Sequence, residues 1–460
     1  MADHELIQSV NPATEQLLRV FEPTTPQTTE QVLSKSRNAF LGWRDCSFSE
    51  RARPMREAAA YLRRHKSRLA GLMTAEMGKP IVEAEAEVEK CAWNCEFYAD
   101  QAEGFLAGEP RPSNGESYVD FVPLGTVLAI MPWNFPLWQV FRFAAPALMA
   151  GNTAILKHAS NVPQCALAIE ESFRASGLPE GVFQTILISG SNVNKLIEDP
   201  RISAVTLTGS ENAGMHVAEA AGRSIKKAVL ELGGSDPFIL LDDADLGGAV
   251  ETAVRARYQN TGQSCIAAKR FVVVETLFDE FQRRFVEAVE NLRVGDPTDR
   301  AVQIGPLARS DLRDTVQLQV QRSVEHGAKV LIGGERLERQ GYFLQPTVLT
   351  DVKPQMPAYC EEVFGPVASL IRVANVDEAI RVANDSPYGL GASLWTRDLT
   401  RARGLARKIE SGQVFINGMV ASDPRLPFGG VKRSGYGREL SAFGIREFVN
   451  IQTVWIARPG

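Results

Sequence analysis

The six residues Asn260-Thr261-Gly262-Gln263-Ser264-Cys265 follow a helix-like run, Leu246–Tyr258, and precede a strand-like run, Phe271–Glu275. That spacing puts Cys265 on a loop, with Gly262 giving the backbone freedom to turn. Alone, a free cysteine reads as a buried structural thiol; as a loop thiolate it is a nucleophile. Glu231-Leu232-Gly233-Gly234 puts a carboxylate at the end of an apolar run. Burial there would raise its pKa and suit it to general base work, whereas a strand-end glutamate in water would do nothing. Pro132-Trp133-Asn134-Phe135-Pro136 is a constrained polar turn in apolar surroundings. The Asn134 amide can donate to an oxyanion, or simply form the turn.

Two further stretches suit a nucleotide. Leu156-Lys157-His158-Ala159-Ser160 ends a strand, and a lysine there can hold a ribose hydroxyl or a phosphate. Ser160 stands where an acid would read a ribose 2′-hydroxyl, and a small polar residue leaves room for a 2′-phosphate. Thr208-Gly209-Ser210-Glu211-Asn212-Ala213-Gly214 follows a strand and opens a helix. Glycine lets backbone approach a pyrophosphate at a helix N-terminus, although the run is not GxGxxG and is weak alone. Together these groups supply a nucleophile, an oxyanion donor, a base and a nucleotide cradle. The sequence has no HExxH, GxSxG, Walker A lysine or CxxC, and the spacing of its five histidines does not favour a Cys–His hydrolase.

These groups need elements to hold them. Residues 6–22 read as short strands with a turn at Asn11-Pro12. From Thr28 to about Phe105 the pattern is helical, starting at Thr28-Thr29-Glu30, with Phe40, Trp43, Met55, Leu62 and Leu69 on apolar faces. Glu83, Glu85, Glu87 and Glu89 are spaced to scatter round a helix, so they read as a solvated face. Residues 106–118 form a Gly/Pro/Ser-rich connection. Strand-like Gly125–Met131, Thr153–Leu156, Phe183–Ile188 and Ala204–Thr208 then alternate with helix-like Leu137–Met149, Gln164–Ser176, Asn192–Glu198 and Ala213–Ala221. Such alternation implies a parallel sheet covered on both faces, binding ligands at the carboxyl ends of its strands. A second α/β region, from about Glu231 to Asn417, repeats the pattern. The tail Phe448–Ile456 alternates weakly, with Val449, Ile451 and Trp455 on one side, and needs a neighbouring domain or subunit to pair with.

Composition sets the bounds. The chain has 460 residues, 44% hydrophobic and 23% charged, which is ordinary for a globular protein of roughly two to four domains. Lys+Arg 50 against Asp+Glu 55 gives a net charge of -5 without any basic stripe, so nucleic acid is not an expected partner. Cysteines at 46, 91, 95, 165, 265 and 360 are too sparse for a disulfide framework and point to a reducing, cytoplasmic setting. Cys91 and Cys95, one helical turn apart, read as core-facing small residues, and no metal is expected. Met1–Glu5 carries acids and no apolar run, so no signal or transit peptide is read. Phe121–Phe141 holds no charge, but Pro123, Gly125, Pro132, Asn134 and Pro136 would break a spanning helix, so no membrane is expected.

Six motifs occur in order: Pro132–Pro136, Thr208-Gly209-Ser210, Glu231–Gly234, Gly262–Cys265, Glu361-Glu362-Val363-Phe364-Gly365-Pro366 and Pro427-Phe428-Gly429-Gly430. They resemble the NAD(P)-dependent aldehyde dehydrogenase superfamily over essentially the whole chain. The resemblance implies an α/β fold. Residues 1–112 and 123–230 would form a Rossmann-like cofactor domain and residues 231–420 a catalytic α/β domain. Residues 113–122 and 421–460 would form a small β oligomerisation element and tail, with a hairpin near Ser113–Val122. It also implies a homodimer or homotetramer whose tail pairs with another subunit.

The same resemblance gives roles. Cys265 attacks an aldehyde, the Asn134 amide and the Cys265 N–H hold the oxyanion, and Glu231 activates water on the thioester. Trp133, Lys157, Ser160, Gly209, Ser210, Leu232, Glu362 and Phe364 match cofactor positions. Ser160 replaces the glutamate of NAD-preferring members, which implies NADP, with NAD possible. Gln263 and Ser264 leave no second thiol beside Cys265. Arg142, on the helix after the turn, and Ser422 match funnel positions able to hold a substrate carboxylate. That pairing resembles the succinate-semialdehyde dehydrogenases and implies a small semialdehyde substrate. An ordinary interdomain salt bridge is the other reading of Arg142. Glutarate semialdehyde and CoA-acylating chemistry remain alternatives.

Overall fold

The computed structural model describes residues 6–113 and 116–457. A hairpin of β1 (Ile7–Val10) and β2 (Leu17–Phe21) leads into four helices, α1 (Pro26–Trp43), α2 (Phe48–Arg64), α3 (Lys66–Met77) and α4 (Ile81–Phe105). The helix start expected at Thr28 lies inside α1. Pro26 takes the first turn and the Thr25 hydroxyl accepts the Thr28 N–H at 3.1 Å, because proline suits that turn and threonine its cap. The long helical stretch breaks at a Ser47/Glu50 capping box and again at Gly78, which is left-handed with φ 76°.

After β3 (Glu109–Pro110) and β4 (Glu116–Pro123) the alternation begins. In order come β5 (Thr126–Met131), α5 (Trp138–Met149), β6 (Thr153–His158), α6 (Pro163–Ala175), β7 (Phe183–Ile186), α7 (Val193–Glu198), β8 (Ile202–Thr208), α8 (Glu211–Arg223) and β9 (Lys227–Glu231). Strands β9-β8-β5-β6-β7 pair in parallel, in that order. The second region follows with β10 (Asp236–Leu240), α9 (Leu246–Tyr258), β11 (Ala268–Val274), α10 (Glu275–Glu290), α11 (Ser310–Glu325), β12 (Lys329–Ile332), β13 (Thr347–Thr350), α12 (Pro357–Cys360), β14 (Val367–Val373), α13 (Val376–Asn384), β15 (Tyr388–Gly389), β16 (Gly391–Trp395), α14 (Leu399–Ala406) and β17 (Gln413–Ile416). Its seven-stranded sheet has the order β12-β13-β14-β11-β10-β16-β17 and is parallel apart from β12. Strands β13, β16 and β17 have only four or five residues each, too short for a periodic pattern to mark them.

The chain returns through β18 (Val431–Lys432), which pairs with β15, and β19 (Gly435–Tyr436), which adds an antiparallel edge to β9. After α15 (Ser441–Ile445), β20 (Val449–Ile456) runs antiparallel along β4 of the same chain, from Val449 opposite Pro123 to Ile456 opposite Glu116. Within one chain the tail therefore has a partner, and β20 is the edge of a three-stranded sheet. Val449 is buried, but Ile451 and Trp455 are 63% and 57% exposed, so the side they were expected to share is not covered along its length. Residues 114 and 115 of the expected hairpin, 1–5 of the N-terminal reading and 458–460 of the tail lie outside the described residues. Among the described residues no helix is long and apolar enough to cross a membrane.

The acidic run on α4 corrects the sequence reading. Residues 83 and 87 are one turn apart and face the interior; 85 and 89 lie on another face. Glu87 is buried, and its Oε1 accepts both the Leu137 and the Trp138 N–H at 2.9 Å. Its Oε2 pairs with the buried Lys79, whose ammonium also lies 3.8 Å from the Phe135 ring centre. Glu83 accepts the Asn260 N–H at 2.7 Å. Burial pushes Glu83 up to about 7 against that bond and Lys79. Only the outer pair bonds to surface arginines, Glu85 to Arg300 and Glu89 to Arg63.

Glu87→Gln leaves the Lys79 ammonium buried without its anion. Denaturant unfolding should show a loss of about 3–5 kcal/mol, and adding Lys79→Met should recover most of it. If the double variant is no more stable than the single one, the ion pair is not what holds this corner.

Candidate active site

Strands β5, β6, β8 and β9 are parallel neighbours, so their carboxyl ends emerge side by side. They carry the Asn134 turn, Lys157–Ser160, Gly209-Ser210 and Glu231 respectively. The second sheet contributes from the opposite ends of its strands. Cys265 lies three residues before β11 and Glu362 five before β14. The rule of carboxyl-end binding thus describes only the first sheet.

The Cys265 loop is held by polar bonds. Asn260, Thr261 and Gly262 have φ of 55°, 56° and 73° in succession. A methyl group on Gly262 would sit 2.4 Å from the Gly365 oxygen, so close approach as well as turning requires glycine there. Asn260 Nδ2 donates to Asn134 O at 2.7 Å and to Gln263 O at 3.0 Å, and Gln263 Oε1 accepts the Ala308 N–H at 2.9 Å. Lys269 Nζ donates to Ser264 O at 2.8 Å and to Cys265 O at 2.6 Å. Asn134 Nδ2 donates to Gln263 O at 3.2 Å. The amide and the half-buried thiol thus belong to one bonded unit. Burial pushes the thiol up to about 12, against the pull of Arg142 and Lys269.

Glu231 is buried rather than solvated, and neither carboxylate oxygen has a hydrogen-bond partner among the described residues. Burial first, then the nearby Glu439 carboxylate, hold its pKa well above the usual range, against Arg142 and Arg438. The Pro427–Gly430 motif passes so close that a Cβ on Gly429 would lie 2.8 Å from Glu231 Oε1.

Arg142 departs from expectation. It does not offer a free guanidinium to a funnel. It is 1% exposed, its Nε is ion-paired with the buried Glu439, and its Nη2 donates to Thr208 Oγ1 at 3.3 Å. Its guanidinium also stacks 4.5 Å from the Phe428 ring centre. The salt-bridge reading describes this geometry, because a buried arginine must be paired. Ser422 is buried, and its Oγ accepts from Lys90 Nζ at 2.7 Å.

The residues expected to bind the cofactor lie at the ends of strands of both sheets. Trp133 meets Phe364 edge-on with ring centres 5.8 Å apart, joining the two sheets. Lys157 makes no ion pair among the described residues, and burial alone lowers its pKa. Ser160 is exposed beside it. Buried His158 donates Nε2–H to Pro136 O at 2.8 Å, because its Nδ1 already accepts the Ala159 N–H. Ser210 caps α8, its Oγ accepting the Ala213 N–H at 3.3 Å. Gly209 donates its N–H to Glu231 O at 3.0 Å. Leu232 packs onto α8 so closely that a Cβ on Gly214 would be 2.6 Å from it. Glu362 Oε1 accepts the Gly234 N–H at 2.9 Å and lies 3.4 Å from Lys269 Nζ. An unpaired lysine beside an exposed serine, at the strand end next to a helix N-terminus, fits a phosphate-bearing nucleotide.

Sequence reasoning missed Glu83, Glu87, Lys269 and Glu439. Their shared property is burial of charge at long sequence separation, which no local spacing encodes. Lys269, four residues after Cys265, was the nearest to visible.

Comparison with known proteins agrees with this geometry. Residues 1–454 match the family described as the aldehyde dehydrogenase family. A Mycobacterium tuberculosis protein named succinate-semialdehyde dehydrogenase (NADP(+)) 1 is 52% identical over 98% of this chain and 100% of its own length. A Synechocystis protein named probable succinate-semialdehyde dehydrogenase (NADP(+)) is 53% identical, with 98% of this chain and 100% of its own length covered. The crystal structure of succinic semialdehyde dehydrogenase from Streptococcus pyogenes in complex with NADP+ is similar at a TM-score of 0.96. It is 38% identical, covering 98% of this chain and 100% of that one. Fold, ordered motifs and relatives agree, and the chain belongs to the aldehyde dehydrogenase family.

Proposed function

We propose that this enzyme oxidises succinic semialdehyde to succinate with NADP, NAD being the weaker alternative. The observation that carries the reading is an amide donor bonded to the loop of the thiol, and a buried carboxylate that feels the charge of the same arginine, Arg142, as that thiol, in a chain half identical to relatives of that name. Cys265, once deprotonated, attacks the aldehyde carbon. The Asn134 amide and the Cys265 N–H take the negative charge that forms on oxygen. Lys157, Ser160, Gly209, Ser210, Trp133, Leu232, Glu362 and Phe364 would hold NADP, which would supply a hydride acceptor beside Cys265. Glu231 then takes a proton from water, which releases the acid. The six unpaired cysteines suit a reducing compartment. We also infer a homodimer or homotetramer, supported by the exposed Ile451 and Trp455 on the edge strand β20.

A panel of succinic semialdehyde, glutarate semialdehyde and butanal, each with NADP and NAD and with and without CoA, tests the assignment. Highest kcat/KM on butanal, or a CoA requirement, would sink it. Ser160→Glu should lower kcat/KM for NADP roughly tenfold or more and raise it for NAD, because the new carboxylate repels a 2′-phosphate and accepts a ribose hydroxyl. Glu231→Gln should keep a single-turnover burst of reduced cofactor while steady turnover slows; loss of the burst would assign Glu231 to the thiol instead. Since Glu231 works deprotonated and its pKa is raised, wild-type turnover should fall with acid from above the usual carboxylate range. Glu439→Gln, by removing the like charge, should move that limb to lower pH. Trp455→Asp should convert a larger species to monomer in sedimentation velocity, and a monomeric wild type would remove the oligomer from the reading.

A further inference from the structure

Lys269, on β11, is a buried ammonium that the mechanism leaves unused. Its side chain is 1% exposed, and its Nζ donates to Ser264 O at 2.8 Å and to Cys265 O at 2.6 Å. Glu362 Oε1 lies 3.4 Å away. An ammonium taken out of water is costly unless its charge is answered. Here the short bonds go to the two carbonyls that flank the nucleophile. The carbonyl before them, Gln263 O, accepts from the Asn134 and the Asn260 amides. Three successive carbonyls of the thiol loop are therefore held by side-chain donors. The N–H of Cys265 is left over: it makes no hydrogen bond among the described residues.

The Ser264–Cys265 peptide is trans, so its oxygen and its hydrogen point to opposite sides of one plane. An ammonium on the Ser264 oxygen thus fixes where the Cys265 hydrogen points, which is away from Lys269. It also draws electrons toward that oxygen and leaves the hydrogen more positive, as linked hydrogen bonds polarise one another. The Ala267 N–H binds the same oxygen at 3.2 Å, but that donor is neutral.

We propose that Lys269 is a positioning residue for the oxyanion donor: through the Ser264–Cys265 peptide its ammonium aims and strengthens the Cys265 N–H that receives the negative oxygen as the thiolate adds to an aldehyde. The proposal rests on the aldehyde reading above and deepens it. Arg142 acts on Cys265 and Glu231 through space; Lys269 acts through one peptide unit on the group that stabilises the adduct. Burial does most to lower the pKa of Lys269. Glu362 before β14, Asp236 on β10 and the Cys265 thiol oppose that, and Arg257 from α9 adds to it.

Two reactions of the same thiol test the proposal. Addition to an aldehyde builds a negative oxygen; alkylation by iodoacetamide does not. Both use the same thiolate fraction, so at one pH the ratio of their rates cancels the ionisation of Cys265. The aldehyde reaction is read as reduced cofactor in a single turnover, with enzyme in excess over succinic semialdehyde. Alkylation is read by mass spectrometry on the peptide holding Cys265. NADP is saturating in both, because Glu362 loses a neighbour in the variant. Lys269→Met should lower the ratio roughly tenfold, less than the 10²–10³ for removing a donor outright. Lys269→Arg, which keeps a charged donor, should recover most of it. A misplaced loop or a changed thiol pKa would slow both reactions alike, so an unchanged ratio overturns the proposal. If Lys269→Met does not fold, the wild-type pH profile decides. Deprotonation of Lys269 removes its charge, so the wild-type ratio should fall as pH rises through a pKa below the usual lysine range. A ratio that stays level up to that range overturns the proposal. A wild type that forms no reduced cofactor fails at the aldehyde reading and takes the proposal with it; normal wild-type turnover with an unchanged ratio removes the proposal alone.

Discussion

Helix α4 holds two loops that must meet, and it does so with two carboxylates. The Asn134 turn leaves one sheet and the Cys265 loop enters the other. Both are polar and irregular, so apolar packing cannot fix them to the precision that oxyanion binding needs. Directional, charge-assisted bonds can. Glu87 accepts two N–H groups at the start of α5, and Glu83 accepts the N–H of Asn260. From there Asn260 reaches back to Asn134 O, which closes the circuit between the loops. One helix therefore helps set the separation of the Asn134 amide and the Cys265 loop, and the two sheets carry elements already tied together.

That arrangement explains the unusual density of buried charge. Accepting N–H groups inside the protein requires carboxylates there, and each ion taken from water needs an answer. Lys79 answers Glu87 directly. Glu83 has no ion pair among the described residues, and burial raises its pKa. On the other side of the site Lys269 binds the Ser264 and Cys265 carbonyls and comes close to Glu362. The loop bearing the thiol is thus braced from below by an ammonium and from the side by a carboxylate. Its left-handed residues, each costing about 1–3 kcal/mol in such a setting, persist because this bracing over-determines them.

How legible this was depended on the kind of information. Alternating strands and helices showed at the sequence level because β5, β6 and β8 are runs of apolar residues between glycine and proline. The Cys265 loop, the Asn134 turn and Glu231 were visible because each combines a reactive side chain with turn residues. Three short strands of the second sheet, β13, β16 and β17, do not show in the sequence, since four or five residues hold too few alternations to stand out. The acidic run on α4 was misread for a different reason. Alternate glutamates do scatter round a helix, but scatter does not say which side is wet. Residues 85 and 89 fit the solvated reading; 83 and 87 do not, because loops more than 40 residues away in sequence cover them. Arg142 was recognised as important and its partner, Glu439, was invisible across almost 300 residues.

The pairing of Arg142 with Glu439 bears on how the site can run two opposed proton steps. On the proposed mechanism the thiol loses a proton to attack, and Glu231 is without one when it activates water. Burial opposes both charged forms, raising the thiol and the carboxylate together. A cation near both is the simplest remedy, and Arg142 pulls both down. Left bare, it would also hold any anion strongly, including the acid product, and so slow release. Glu439 tempers that charge, at the cost of pushing Glu231 up again. The structure therefore balances one cation between two buried carboxylates, Glu439 paired with it and Glu231 only near it.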